Sequence, residues 1–311
     1  MADKIATRAS YGQALVELGA ENENIIVMDA DLSGSTMTKK FAEKYPERFI
    51  NVGIAEQNLV GVACGLALSG KTVFCSSFAM FASGRAFEIV RNSVAHNNAN
   101  VKICASHAGL TVGPDGASHQ CLEDLAIMRV IPGMTVINPA DDVSARKLIK
   151  AAAKMQGPVY IRLGRAAVPV VYDEDANIEI GKALEIRKGT DYTIIATGIM
   201  VDKAVTAAET LATKGINVRV LDMHTIKPID KEAIIKAAQE TGGIVTAEEH
   251  NVIGGLGSAV AEVLATTTPC KMAMVGVKDV FGESGEPDEL VAKFGIAADD
   301  IVNAVISLTH K

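Results

Sequence analysis

The 311-residue chain contains no tryptophan and only 4% aromatic residues, so any aromatic cluster stands out against a sparse background. Its cysteines (Cys64, Cys75, Cys104, Cys121 and Cys270) form no CxxC pair and are odd in number. Three of them lie in apolar runs, which predicts reduced, buried thiols in a cytoplasmic protein rather than a disulfide scaffold. Positive charge is in deficit: the net charge of -7 argues against a nucleic-acid or anionic-membrane surface, while leaving room for a local basic pocket. No apolar run reaches the length of a membrane span, and "MADKIATRAS" carries no apolar core of a signal peptide. Several phosphate and hydrolase signatures are missing too. There is no P-loop, no HExxH, no GxSxG, and no Gly-Asp-Gly followed by an Asn that would place a metal and a diphosphate.

What is present is 49% apolar and 22% charged, the balance of a folded protein long enough for two domains. Short apolar runs at 24–31, 71–77, 100–107 and 158–163 read as strands. Helical stretches lie between them at 9–21, 51–68, 83–96 and 141–155, with Asp141 a predicted N-cap. Such alternation implies a mostly parallel sheet covered by helices. The pattern lapses in "VPVVYDEDANIEIGKALEIRKGTD", then resumes with strands at 192–198, 217–223 and 243–249 and helices between and after them. The fold class is therefore α/β with two tandem domains, 1–170 and 191–311, joined by a linker over 171–190.

In parallel sheets ligands gather beyond the carboxyl ends of the strands. That rule directs attention to Asp29 and Asp31, to "SSFAMFASGR", to "SHAGLTVGPDGASHQ" and to "YIRLGR". Phe78 and Phe81, three apart just beyond a strand, serve either as ordinary core or as a platform for a flat heteroaromatic ring. The Gly-rich loop brings together His107, Asp115, Ser118 and His119. Their spacing matches no metal motif, so proton transfer or hydroxyl and phosphate recognition fits better. Arg8, Arg162 and Arg165 sit in mainly apolar contexts, and Arg165, after a strand and a glycine, is best placed to hold an anion. Glu56 begins a small, apolar helix whose face also carries Leu59, Val60, Ala63 and Ala67, a costly place for a carboxylate without a partner. "GGLGSAV" fails the dinucleotide fingerprint, because Val260 stands where the third glycine belongs.

Taken in order, "MDADLSGS", "NVGIAEQNLVGVACGLAL", "SSFAMFASGRAFEIVR", "SHAGLTVGPDGASHQ", "YIRLGR", "VLDMHTIKPID" and "TAEEHNVIGGLGSAVAEVL" resemble the C-terminal half of transketolase over nearly the whole chain. The resemblance implies a pyrimidine-binding domain followed by a transketolase C-terminal domain, as the small subunit of a split enzyme. It implies thiamine diphosphate as cofactor, Mg²⁺ held mostly by a partner, and an N-terminal-half partner subunit in an α2β2 assembly. The expected reaction moves a two-carbon ketol unit from a ketose phosphate to an aldose phosphate. By the same resemblance, Glu56 hydrogen-bonds N1′ of the aminopyrimidine, its apolar setting keeping a proton available to share, and so promotes the thiazolium ylid. Phe81 stacks on that ring with Phe78 in the same wall, and Asp31 lies near the cofactor. Arg8, Ser35, His107 and Arg165 match residues that hold the sugar phosphate; Asp115 reads a hydroxyl and His119 lies near the reacting end. Gly84 departs from the pattern where another aromatic commonly lines the pocket, which predicts a thinner wall. 1-Deoxyxylulose-5-phosphate synthase is the nearest alternative, disfavoured by His107 in "SHAG". The 2-oxoacid dehydrogenase β subunit and a non-catalytic homologue of the same fold stand further off.

Overall fold

The computed structural model describes residues 4–309. Its larger sheet has seven strands in the spatial order Thr225–Lys227, Thr135–Ile137, Val159–Arg162, Val101–Ala105, Thr72–Ser76, Ile25–Asp29 and Phe49–Asn51. All neighbours are parallel except the Thr225–Lys227 edge, which pairs antiparallel with Thr135–Ile137. The central strands Thr72–Ser76 and Val101–Ala105 are buried at every position, as a sheet covered on both faces requires. A second sheet runs Met272–Val277, Ile244–Asn251, Tyr192–Ala196, Val218–Asp222 and Leu184–Arg187. A two-stranded ribbon of Lys4–Ala6 and Ala167–Pro169 ties the start of the chain to the end of the first α/β unit.

Local sequence explains the better-formed elements. Asp141 caps the helix Asp142–Lys154: its Oδ1 accepts from the Ser144 amide at 2.8 Å, and Ser144 Oγ accepts from the Asp141 amide at 2.9 Å. The other Asp141 oxygen accepts from the amides of Val171 and Tyr172 at 2.8 and 2.9 Å, so the cap also fixes the chain leaving the first unit. Glu248, completely buried, accepts from the Leu256 and Gly257 amides at 2.7 and 2.8 Å and caps the helix Leu256–Thr266. "GGLG" is thus a tight turn into a capped helix.

Three features differ from the sequence reading. The segment 171–190 contains the strand Leu184–Arg187, which pairs antiparallel with Val218–Asp222 as an edge. Its four residues alternate apolar with charged side chains, too short a pattern to stand out in an acidic stretch. The strand Thr225–Lys227 belongs by sequence to the second unit but completes the sheet of the first. A buried core likewise runs across the boundary, from Leu148 and Ile149 to Met200 and Val201. Finally, the helical stretch at 83–96 is not regular. It contains wide π-helical turns at Met80–Arg85 and Val90–Ala95, with the Ala86 amide reaching the Phe81 carbonyl and the His96 amide that of Arg91. Small residues Ala82, Ser83 and Gly84 tolerate the first of these turns. Such bulges concentrate at functional sites.

Candidate active site

The carboxyl ends of the strands Ile25–Asp29, Thr72–Ser76, Val101–Ala105 and Val159–Arg162 share one edge of the larger sheet, and the predicted residues gather there. Phe78 and His107 stack with ring centroids 3.9 Å apart and planes at 25°. Phe81 lies parallel to Phe78 at 6.4 Å, and the His119 ring stands edge-on to both, 6.1 Å from Phe78 and 5.5 Å from Phe81. Two of the chain's eight phenylalanines and two of its six histidines thus meet in one wall.

The two histidines are fixed by their own neighbours. Ser106 Oγ meets His107 Nδ1 at 2.9 Å, and Ser118 Oγ meets His119 Nδ1 at 2.9 Å. His107 has φ +58°, a left-handed conformation that a non-glycine residue adopts only where its surroundings impose it. Burial, followed by the charges of Arg8, Arg165 and His119, lowers its pKa to about 3, so His107 is a neutral imidazole at neutral pH. It can donate or accept a hydrogen bond there but carries no charge.

Arg8 and Arg165 form the cationic end of the site. Arg8 donates to the carbonyl of Ser35 at 2.7 Å and to that of Arg165 at 3.4 Å, and Arg165 donates to the carbonyl of Val112. Carbonyls orient both guanidinium groups without neutralising them. Burial, then repulsion from Arg165, pulls the Arg8 pKa below its ordinary value. Ser35 lies in the helical turn Ser33–Thr36, which is organised by Asp29, a residue that sequence reasoning placed at this edge but gave no role. The completely buried Asp29 carboxylate accepts from the Leu32 amide at 2.5 Å and from the hydroxyls of Thr36 and Thr38 at 2.6 and 2.9 Å. Asp31 is exposed with φ +65°; it accepts from the Asn51 side chain at 3.1 Å, on the segment that leads into Glu56. Asp115 is exposed on the rim of the Gly-rich loop.

Glu56 opens the helix Glu56–Leu68 and is 2% exposed, but its surroundings are not the purely apolar ones expected. Arg85 Nη1 lies 3.1 Å from its Oε2, and Ser77 Oγ donates to its Oε1 at 3.4 Å. The same guanidinium lies over the Phe81 ring, 5.1 Å from its centroid. Sequence reasoning missed Arg85 because a regular helix would give no reason to aim it at Glu56; the π-helical turn ending at Arg85 does. Gly84 does not leave the wall empty either. A Cβ there would meet the Met80 methyl at 2.8 Å, so Met80 fills that space. Met80, Phe81 and Arg85, with Ser118, Gln120 and Phe281, line an open cleft of about 640 Å³ between the two α/β units. Among the described residues no group of three His, Cys, Asp or Glu side chains is placed to hold a metal ion.

Two family profiles match this chain: "Transketolase, pyrimidine binding domain" over residues 3–170 and "Transketolase, C-terminal domain" over residues 181–301. The chain belongs to the transketolase family. It is 51% identical to a transketolase C-terminal section of Methanocaldococcus jannaschii, with 98% of this chain and 96% of that protein covered. It is 41% identical to the transketolase of Homo sapiens, covering 99% of this chain but only 50% of that one. Among solved structures it superposes on a split-gene transketolase, an inactive β4 tetramer, with TM-score 0.92, 56% identity and 98% and 99% coverage. It is thus a transferase of the transketolase type, as one subunit, and membership of the family implies thiamine diphosphate as cofactor.

Proposed function

We propose that this chain is the C-terminal subunit of a split transketolase. It moves a two-carbon ketol unit from a ketose phosphate to an aldose phosphate with thiamine diphosphate. The observation that carries this reading is that Arg85 joins the buried Glu56 carboxyl to the Phe81 ring, while Arg8 and Arg165 are held by carbonyls rather than by carboxylates among the described residues. The residues fit the cofactor's aminopyrimidine. Phe81 offers a ring face, and Glu56 a buried carboxyl that can share a proton at a ring nitrogen. When bound, thiamine diphosphate supplies the nucleophilic carbon that carries the two-carbon unit.

The remaining roles belong to this chain's side chains. Arg85 occupies both groups that the pyrimidine needs, so it turns aside as the ring binds, which its half-exposed position permits. Arg8 and Arg165, with the Ser33–Thr36 turn, grip the substrate phosphate. Neutral His107 and His119 hydrogen-bond the sugar's oxygens, while Asp115 at the rim reads a hydroxyl further along. Asp31 and Phe78 complete the cofactor side. The diphosphate and its Mg²⁺ are held by an N-terminal-half subunit in an α2β2 assembly, because no diphosphate motif occurs in this sequence. Five free cysteines suit a reducing, cytoplasmic setting, and no helix of the described residues is long and apolar enough to cross a membrane.

The test is reconstitution. The purified chain alone should show no ketol transfer; mixing with an N-terminal-half subunit, thiamine diphosphate and Mg²⁺ should produce it. Transfer by the chain alone, or none with any such partner, overturns the proposal.

A further inference from the structure

The second α/β unit reaches into the Gly-rich loop of the first, and one of its buried carboxylates holds a backbone amide there. Glu249 lies on the strand Ile244–Asn251 and is 3% exposed. Its Oε1 accepts from the Thr111 amide at 2.6 Å, while Oε2 faces Arg162 Nη1 at 3.8 Å. Arg162 in turn donates to the Glu249 carbonyl at 2.9 Å, to Asp124 at 2.9 and 3.2 Å, and to the Cys121 carbonyl at 3.3 Å. The approach is close enough that any Cβ at Gly109 would lie 2.3 Å from the Glu249 carboxyl, and Gly109 also has φ +84°. Gln120 closes the other end of the loop, donating to the carbonyls of Leu110 at 3.0 Å and Glu283 at 2.9 Å. The residue after Thr111 is Val112, whose carbonyl orients the Arg165 guanidinium. A line of direct contacts therefore runs from Glu249 to the cationic end of the site.

We propose that Glu249 is a positioning residue: by holding the Thr111 amide it fixes the Val112 carbonyl and, through it, the anion grip of Arg165. The second α/β unit then has a defined task, which is to set the shape of the loop that carries His107 and His119. Charge pairing with Arg162 is a separate duty of the other carboxylate oxygen. The consequence for substrate rests on the reading of Arg165 as a phosphate ligand; the consequence for the loop does not.

Two substitutions separate the duties. Glu249→Asp keeps the charge beside Arg162 but is one methylene too short to reach the Thr111 amide. Glu249→Gln keeps the reach and an acceptor oxygen but loses the charge. In the complex with the partner subunit, Glu249→Asp should raise KM for a ketose phosphate about tenfold, with a much smaller change for an unphosphorylated ketose and in kcat. Hydrogen exchange across residues 109–113 should also rise about tenfold, while Glu249→Gln stays near wild type in both. The reverse order, with Glu249→Gln the more damaged, or unchanged exchange in Glu249→Asp, overturns the proposal. If Arg165→Ala shows no preference for phosphorylated substrate while Glu249→Asp still loosens the loop, the phosphate reading fails and the positioning role stands.

Discussion

Replacing Glu56 with leucine should separate what this position does for folding from what it does for catalysis. Glu56 is 2% exposed, and its ion pair with Arg85 spans 3.1 Å. Coulomb attraction at that distance is worth about 1 kcal/mol in water and roughly 5 kcal/mol at an effective dielectric constant near 20. The Arg85 side chain is 53% exposed, so solvent screening and side-chain entropy bring the net value to about 1 kcal/mol. Leucine contributes roughly 2 kcal/mol of apolar burial, less about 1 kcal/mol for imperfect fit. It also ends the desolvation of a carboxylate, while Arg85 turns to water. Glu56→Leu should therefore unfold within about 1 kcal/mol of wild type, or somewhat above it, with Tm moving by no more than roughly 3 °C. Ketol transfer in the reconstituted complex should meanwhile fall by about 10³-fold or more, the scale of a lost proton-sharing group. Denaturant titration of the chain and a coupled assay of the complex measure the two sides. A loss of more than about 3 kcal/mol would make Glu56 a structural residue, and activity within tenfold of wild type would remove it from the chemistry.

Two further outcomes follow from the cationic end of the site. Arg165→Ala should raise KM for phosphorylated ketoses by roughly 10- to 100-fold, with little change for unphosphorylated ones, the loss expected for one charge-assisted contact; equal effects would place the phosphate elsewhere. His107 has its folded pKa lowered to about 3 by burial and by Arg8 and Arg165, below the ordinary histidine value near 6.5. The unfolded chain thus takes up a proton below about pH 6.5 that the folded chain refuses. The contribution of neutral His107 is complete above that pH and is lost as pH falls toward 3. The unfolding free energy of His107→Gln should accordingly fall less steeply than wild type between pH 6.5 and 4, by up to about 1.4 kcal/mol per pH unit. Parallel pH profiles would refute the assignment.

Elements with a strong local signal were legible in the sequence. The strands around Val27, Phe74, Ile103 and Ile161 are mostly apolar and buried on both faces, and the Asp141 cap and the Glu56 helix have local signatures. The gathering of Phe78, Phe81, His107 and His119 followed from one rule about strand ends, and the rings do meet. Three-residue strands such as Phe49–Asn51 and Thr225–Lys227 were invisible, because so few residues carry no period. Arg85 was invisible for another reason. Its partner is 29 residues away, and the wide turn that aims it arises from hydrogen bonding rather than residue type.

Apolar periodicity and the ordered motifs were enough to specify the α/β fold class and the family, and the Gly-rich loop and strand ends to name candidate residues, since these depend on local pattern. Folding in three dimensions settled which groups share a charge. It set Arg85 against Glu56 and placed Arg8 beside Arg165. It also drove Glu249 from the second unit under the loop of the first, against a glycine that leaves it room. Electrostatics and close packing act through space between residues far apart in the chain, so the long-range pairs that tune this site had no counterpart in any short stretch of sequence.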